Sequence, residues 1–149
     1  MIYNHLSLPQ ILNNPSRVME MQEPGEGKCP EKPDKMKVKN LAEVLDARIV
    51  CGDHLADHAI EVAFASDLMS DVLTLKNDNV LLITGLANVQ TIRTAEMSDI
   101  SCIIFARNKK ASPEMIGLAR ENDMVLLECR YSVFKTCGLL YQAGVQPIF

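Results

Sequence analysis

Three stretches decide how this chain folds: Asn79-Val80-Leu81-Leu82-Ile83-Thr84, Ser101-Cys102-Ile103-Ile104-Phe105-Ala106 and Met124-Val125-Leu126-Leu127-Glu128-Cys129. Each is a near-continuous aliphatic run, the composition of a strand buried on both faces, as in a parallel sheet. Between the first two, Asn88 to Met97 is expected to be a helix, with Val89, Ile92 and Met97 apolar. Between the second and third, Ser112 is a helix cap, Pro113 suits the first helical position, and Met115, Ile116, Leu118 and Ala119 supply an apolar face. Strand, helix, strand, helix, strand is the order that β-α-β crossovers require. A last helix is expected from Ser132 to about Ala143, with Gly144 as its stop. Its Phe134, Leu140 and Tyr141 suit either a core or an interface.

Upstream, Val38, Leu41, Val44 and Leu45 lie on one helical face, with Asn40 as a cap. Arg48 to Cys51 is a brief strand closed by Gly52-Asp53, and Ile60 to Ala65 is a second apolar run. Ser66 to Leu75 reads as a helix capped by Ser66, with Asp67 in its first turn and Leu68, Met69, Val72, Leu73 and Leu75 on its apolar face. Residues 1–36 differ: Pro15, Pro24, Gly25, Gly27, Pro30 and Pro33 stand among charges, so this part is expected to be a flexible tail to a domain over 37–149. Within it, Tyr3, Leu6, Leu8, Ile11 and Leu12 suit a docking turn of amphipathic helix or a frayed end.

The 149 residues fit one domain plus a tail, and 48% apolar with 23% charged is ordinary for a globular protein. A net charge of −4 disfavours non-specific nucleic-acid binding. Polar residues interrupt the first twelve positions, so no secretory signal is read there, and no apolar run approaches the ~20 residues of a membrane span. A cytoplasmic location is expected. The five cysteines, Cys29, Cys51, Cys102, Cys129 and Cys137, include no C-x-x-C pair. Reduced thiols acting as small buried hydrophobes fit Cys102 and Cys129, whereas Cys29 is expected to be exposed.

The segment Ala65-Ser66-Asp67-Leu68-Met69-Ser70-Asp71-Val72-Leu73, and the run from Asn79 through Thr84 to Asn88-Val89, resemble the DRTGG domain family. Cys102-Ile103-Ile104-Phe105, Met124-Val125-Leu126-Leu127, Gly138-Leu139-Leu140-Tyr141 and Ala143-Gly144 are also similar to its stand-alone members, so the likeness spans about Lys37 to Val145. The resemblance implies a fold like the N-terminal domain of HPr kinase: three α/β layers, an open and mostly parallel sheet with helices on both faces, often dimeric. Family members stand alone or as regulatory pieces of phosphotransacetylases and CBS-containing pyrophosphatases. The Asp-Arg-Thr-Gly-Gly pentapeptide is absent here, so ligand contacts within it do not carry over. No G-x-x-x-x-G-K-[ST] loop occurs either, which removes the phosphate cradle a kinase of that type needs.

Ligands of open α/β sheets sit beyond the carboxyl ends of the strands. That edge is expected to carry Ser66 and Asp67, then Thr84, Gly85 and Asn88, then Arg107, Asn108 and Lys109. A glycine permits close backbone approach, and helix amides with cations suit an anion such as a phosphorylated metabolite or nucleotide. The same residues also serve as caps, turns and a solvated loop. Asp53, His54, Asp57 and His58 are a second cluster, one that a divalent metal accepts if the segment is helical, or a polar turn if it is not. Asp67 and Asp71 at i, i+4 make either a carboxylate pair or a helix start and a surface charge. No nucleophile, base and orienting group fall together. The expected function is thus a non-catalytic regulatory module that senses a small anionic metabolite, a nucleotide or a protein partner, as a homodimer. A small metal-dependent enzyme using the Asp/His cluster and a purely structural partner subunit are the alternatives. No cofactor is identified.

Overall fold

A computed structural model describes residues 35–149. The expectations for the tail up to residue 34, its docking turn and Cys29 lie outside the described residues, while its last residue, Met36, is a strand residue. In chain order the elements are β1 (Met36–Lys37), α1 (Val38–Leu45), β2 (Arg48–Cys51), β3 (Ala59–Ile60), β4 (Val62–Ala65), α2 (Met69–Val72), β5 (Val80–Thr84), α3 (Val89–Met97), β6 (Cys102–Phe105), α4 (Pro113–Glu121), β7 (Val125–Glu128), α5 (Val133–Gln142) and β8 (Gln146–Pro147). A six-stranded sheet runs in the order β2-β7-β6-β5-β4-β8, and β1 with β3 forms a separate two-stranded ribbon.

The three aliphatic runs are β5, β6 and β7, adjacent and parallel, with Leu81 paired to Cys102 and Ile104 to Leu127. Continuous apolarity in each follows from burial on both faces. Leu82, Ile103 and Leu126 point into a core with Val72 of α2, Ile92 of α3 and Met115 of α4, while Leu81, Ile104 and Leu127 point into a second core with Leu41 of α1 and Leu140 of α5. The architecture is therefore α/β, with a mixed, mostly parallel sheet between two helical layers. Among the described residues no helix is long and apolar enough to cross a membrane.

Caps set several boundaries. Asn88, Ser112 and Ser132 accept the amides of Thr91, Met115 and Lys135 at 2.9, 3.2 and 3.2 Å, each bond contributing about 1 kcal/mol. Gly144 ends α5 at φ 101°, a left-handed conformation that glycine adopts without steric cost.

Four local readings need correction. Lys37, not Asn40, precedes α1, and its side chain makes no capping bond. The expected helix over Ser66 to Leu75 shrinks to Met69–Val72, because Ser66 accepts the Leu68 amide at 3.0 Å in a turn of its own and delays the helix. Leu68 and Leu73, assigned to its apolar face, are exposed. The run Ile60 to Ala65 is two strands, since Ile60 pairs with Met36 in the small ribbon and Val62 begins the pairing with β5.

Candidate functional site

Because β4, β5 and β6 are adjacent and parallel, their carboxyl ends deliver three loops to one edge. Asp67 leaves β4 and turns back toward β5. Its Oδ1 accepts the Thr84 hydroxyl at 2.8 Å and the Gly85 amide at 2.7 Å. Arg107, after β6, reaches the same place: its Nη2 donates to Asp67 Oδ2 at 3.3 Å and to the Gly85 carbonyl at 3.0 Å. Partial burial pushes the Asp67 carboxyl up, but the Thr84 hydroxyl, the Gly85 amide and the Arg107 charge together outweigh it and hold the group below its ordinary range.

Gly85 is what admits the guanidinium. A Cβ built there would stand 2.1 Å from Arg107 Nε, so any other residue displaces the Arg107 head. The Arg107 backbone is equally constrained. Arg107 and Asn108 both adopt left-handed φ values, 59° and 56°, a conformation that asparagine visits readily but that costs about 1–2 kcal/mol at Arg107. Their amides donate to the carbonyls of Tyr131 at 2.7 Å and Cys129 at 3.0 Å, which ties this loop to the one after β7. Glu128, with only 6% of its side chain exposed, accepts from Lys110 Nζ at 3.0 Å and from the Ala111 amide at 2.9 Å, fixing the far end of the same loop. Strained backbone held from both ends places a half-exposed cation at the rim.

Of the residues expected at this edge, Asp67, Thr84, Gly85 and Arg107 form one connected cluster. Asn88 is at the edge, but its side chain is committed to α3, bonding both the amide and the hydroxyl of Thr91. Ser66 is committed to its turn with Leu68. Asn108 and Lys109 are exposed on the rim. Sequence reasoning missed Glu128, although a lone acid closing the aliphatic run Val125-Leu126-Leu127 was a usable sign that a buried acceptor was needed there.

The second cluster disperses. Asp53 begins a single 3-10 turn rather than a helix that would align i, i+4 partners. His54 Nε2 lies 3.6 Å from Asp123, Asp57 pairs with Lys39 at 2.8 Å and Lys37 at 3.4 Å, and His58 has its Nε2 buried without a partner. Among the described residues no group of three His, Cys, Asp or Glu is placed to hold a metal. Asp67 and Asp71 also part company, Asp71 remaining exposed on α2. Cys51, Cys102 and Cys129 are buried free thiols, and full burial pushes Cys102 up to about 12.

The fold has relatives. A family model described as DRTGG domain matches residues 40–143. The crystal structure of the CBS and DRTGG domains of the regulatory region of Clostridium perfringens pyrophosphatase, complexed with the activator diadenosine tetraphosphate, is similar at a TM-score of 0.60 and 16% identity. The match covers 75% of this chain and 48% of that one, so the present chain spans about half the length of that regulatory region. At such identity the likeness speaks for the fold. No curated protein matches this chain.

Proposed function

The chain belongs to the DRTGG domain family, and on that premise we propose that it is a non-catalytic regulatory module, with its domain over 37–149, that senses a small anionic metabolite or nucleotide and works as a homodimer in the cytoplasm. The observation that carries this reading is Arg107, a half-exposed cation held at the edge where three parallel strands end. Both of its contacts use Nη2, which leaves donors on Nη1 and Nε for a ligand. The planar guanidinium fork matches phosphate or carboxylate oxygens bidentately. The N-terminus of α3 starts at the same edge and adds a favourable dipole.

A non-catalytic role fits the chemistry of the cluster. Its members are a carboxylate, a hydroxyl, a glycine and a guanidinium, already bonded to one another, and the fully buried Cys102 thiol is a poor source of thiolate. His54 sits beside Asp123, ahead of β7 and so at the opposite edge of the sheet.

The test is a thermal-shift series on the full chain with adenine mononucleotides, acyl phosphates and diadenosine tetraphosphate. A ligand at 100 times its Kd adds about 2.7 kcal/mol to stability and raises the melting temperature. The expected result is a shift by at least one of these anions that Arg107→Ala removes while keeping its own cooperative melt. A shift that survives in Arg107→Ala would move the site elsewhere, and no shift from any of them would defeat the sensing role.

A further inference from the structure

The Asp67 carboxylate does more than the fold asks of it. Its inner oxygen, Oδ1, already performs the structural task, accepting the Thr84 hydroxyl at 2.8 Å and the Gly85 amide at 2.7 Å. Those two bonds tie the turn after β4 to the end of β5, and an asparagine carbonyl would accept both. The neighbouring acceptors are spent as well: the Thr84 hydroxyl oxygen takes the Leu86 amide at 3.1 Å, and the Gly85 carbonyl takes Arg107 at 3.0 Å. The outer oxygen, Oδ2, is different. Among the described residues its one partner is Arg107 Nη2, at a long 3.3 Å. Arg107 does not depend on that bond, because the Gly85 carbonyl holds the same nitrogen more closely.

An ionised carboxylate accepts at about four lone-pair positions. The Thr84, Gly85 and Arg107 bonds leave Oδ2 a free one, on a side chain half exposed at the rim. Asp67 is ionised at neutral pH, since its neighbours hold the carboxyl below the ordinary range, so it accepts and cannot donate. Arg107 beside it keeps donors on Nη1 and cannot accept. The rim thus presents a free acceptor next to a free donor, close enough for one small molecule to meet both. For a bare anion this arrangement is a handicap. A phosphate on Arg107 would lie about 5 Å from the carboxylate, where two unit charges in water repel enough to weaken binding about fourfold. A ligand with a hydroxyl near its phosphate reverses the effect, because the hydroxyl hydrogen then faces the carboxylate.

We infer that Asp67 selects the ligand: its Oδ2 accepts a hydroxyl from a phosphate ester whose phosphate is held by Arg107, so the site takes a sugar phosphate or a ribonucleotide in preference to anions without a hydroxyl. The inference rests on the reading of Arg107 as the cation that binds the anion, and it names which anions that cation receives. A site built to bond a hydroxyl rejects the analogue that lacks it, because its own polar group is then left unpaired. At a half-exposed carboxylate that loss is worth about tenfold in affinity.

NMR titrations of the isotope-labelled full chain, read at the Gly85 amide, measure these affinities where they matter. Two pairs of probes differ chiefly in their hydroxyls: AMP against its dideoxyribose analogue, and ribose-5-phosphate against methyl phosphate. The wild type should bind the hydroxylated member of at least one pair about tenfold more tightly. A preference confined to the AMP pair assigns the site to a ribonucleotide, and one that is as strong for ribose-5-phosphate assigns it to a sugar phosphate; either supports the inference. Asp67→Asn keeps the inner oxygen and replaces Oδ2 with an amide nitrogen. It should bring the preference below about threefold and bind methyl phosphate about fourfold more tightly. Changes of opposite sign are not what a general loosening of the loops produces. Equal affinities within both pairs overturn the inference and leave Arg107 as an anion site, and so does a preference that survives in Asp67→Asn. Should that variant unfold, the wild-type pairs decide alone. If neither these probes nor acetyl phosphate bind, the anion reading itself falls and this inference falls with it.

Discussion

Replacing Asp67 with alanine tests whether the carboxyl-edge cluster is a structural unit. The substitution removes the acceptor for the Thr84 hydroxyl and the Gly85 amide and the counter-charge of Arg107. Hydrogen bonds to a charged group contribute about 1.5–3 kcal/mol when shielded. With the Asp67 side chain half exposed, about 1 kcal/mol for each of the two is a fair discount. The Arg107 pair is half exposed on both sides and adds about 0–1 kcal/mol. The expected loss is therefore about 2–3 kcal/mol, or a melting temperature lower by about 8–12 °C for a domain of this size. Asp67→Asn keeps an acceptor oxygen and gives up the charge, so about 1 kcal/mol is expected. Acidity supplies an internal check. A carboxyl held below its unfolded value of 3.8 stabilises the fold fully above that pH and loses the contribution as pH falls through the lower folded value. Urea unfolding at neutral pH and at a series of pH values below 4 should show the gap between wild type and Asp67→Asn closing on acidification. A loss under about 0.5 kcal/mol for Asp67→Ala, or a gap that widens in acid, would refute the reasoning.

Two further outcomes follow from positions outside that cluster. Gly52→Ala combines a left-handed φ of 83° with a Cβ 2.7 Å from the Met124 carbonyl and 2.9 Å from Val125 Cα, both backbone. Urea denaturation should record a loss of about 3–5 kcal/mol, and a value near that of an ordinary surface change would mean that the β2 turn relaxes freely. Cys102, pushed up to about 12 by full burial, should present about one thiolate in ten thousand at pH 8. Its modification by a thiol reagent should track unfolding, and rapid labelling of the native protein at Cys102 would contradict the packing of β6.

Much of the fold was legible because the signals are local. Runs such as Val80 to Ile83 are aliphatic at every position only when both faces of a strand are covered. Ser112 with Pro113, and Asn88, announce helix starts because a cap acts within three residues of itself. The failed readings are those in which a local signal had two uses. Ser66 has the chemistry of a cap, and it spends it on a turn before α2 begins. Ile60 belongs to an apolar run, yet its partner is Met36 and not the main sheet.

The edge residues show the same division more sharply. That Asp67, Thr84, Gly85 and Arg107 would share one edge follows from parallel strands in sequence order, and the chain alone says as much. That they bond to one another, with Asn88 and Ser66 turned to other tasks, depends on loop paths that join residues 17 to 40 positions apart. The antiparallel addition of β2 to β7 is likewise a matter of which edge a short strand finds free. Periodicity fixes what each segment must bury, because burial is written into composition residue by residue. Which helices cover each face, and which side chain meets which across the edge, are set by packing between distant segments, and only the assembled structure decides them.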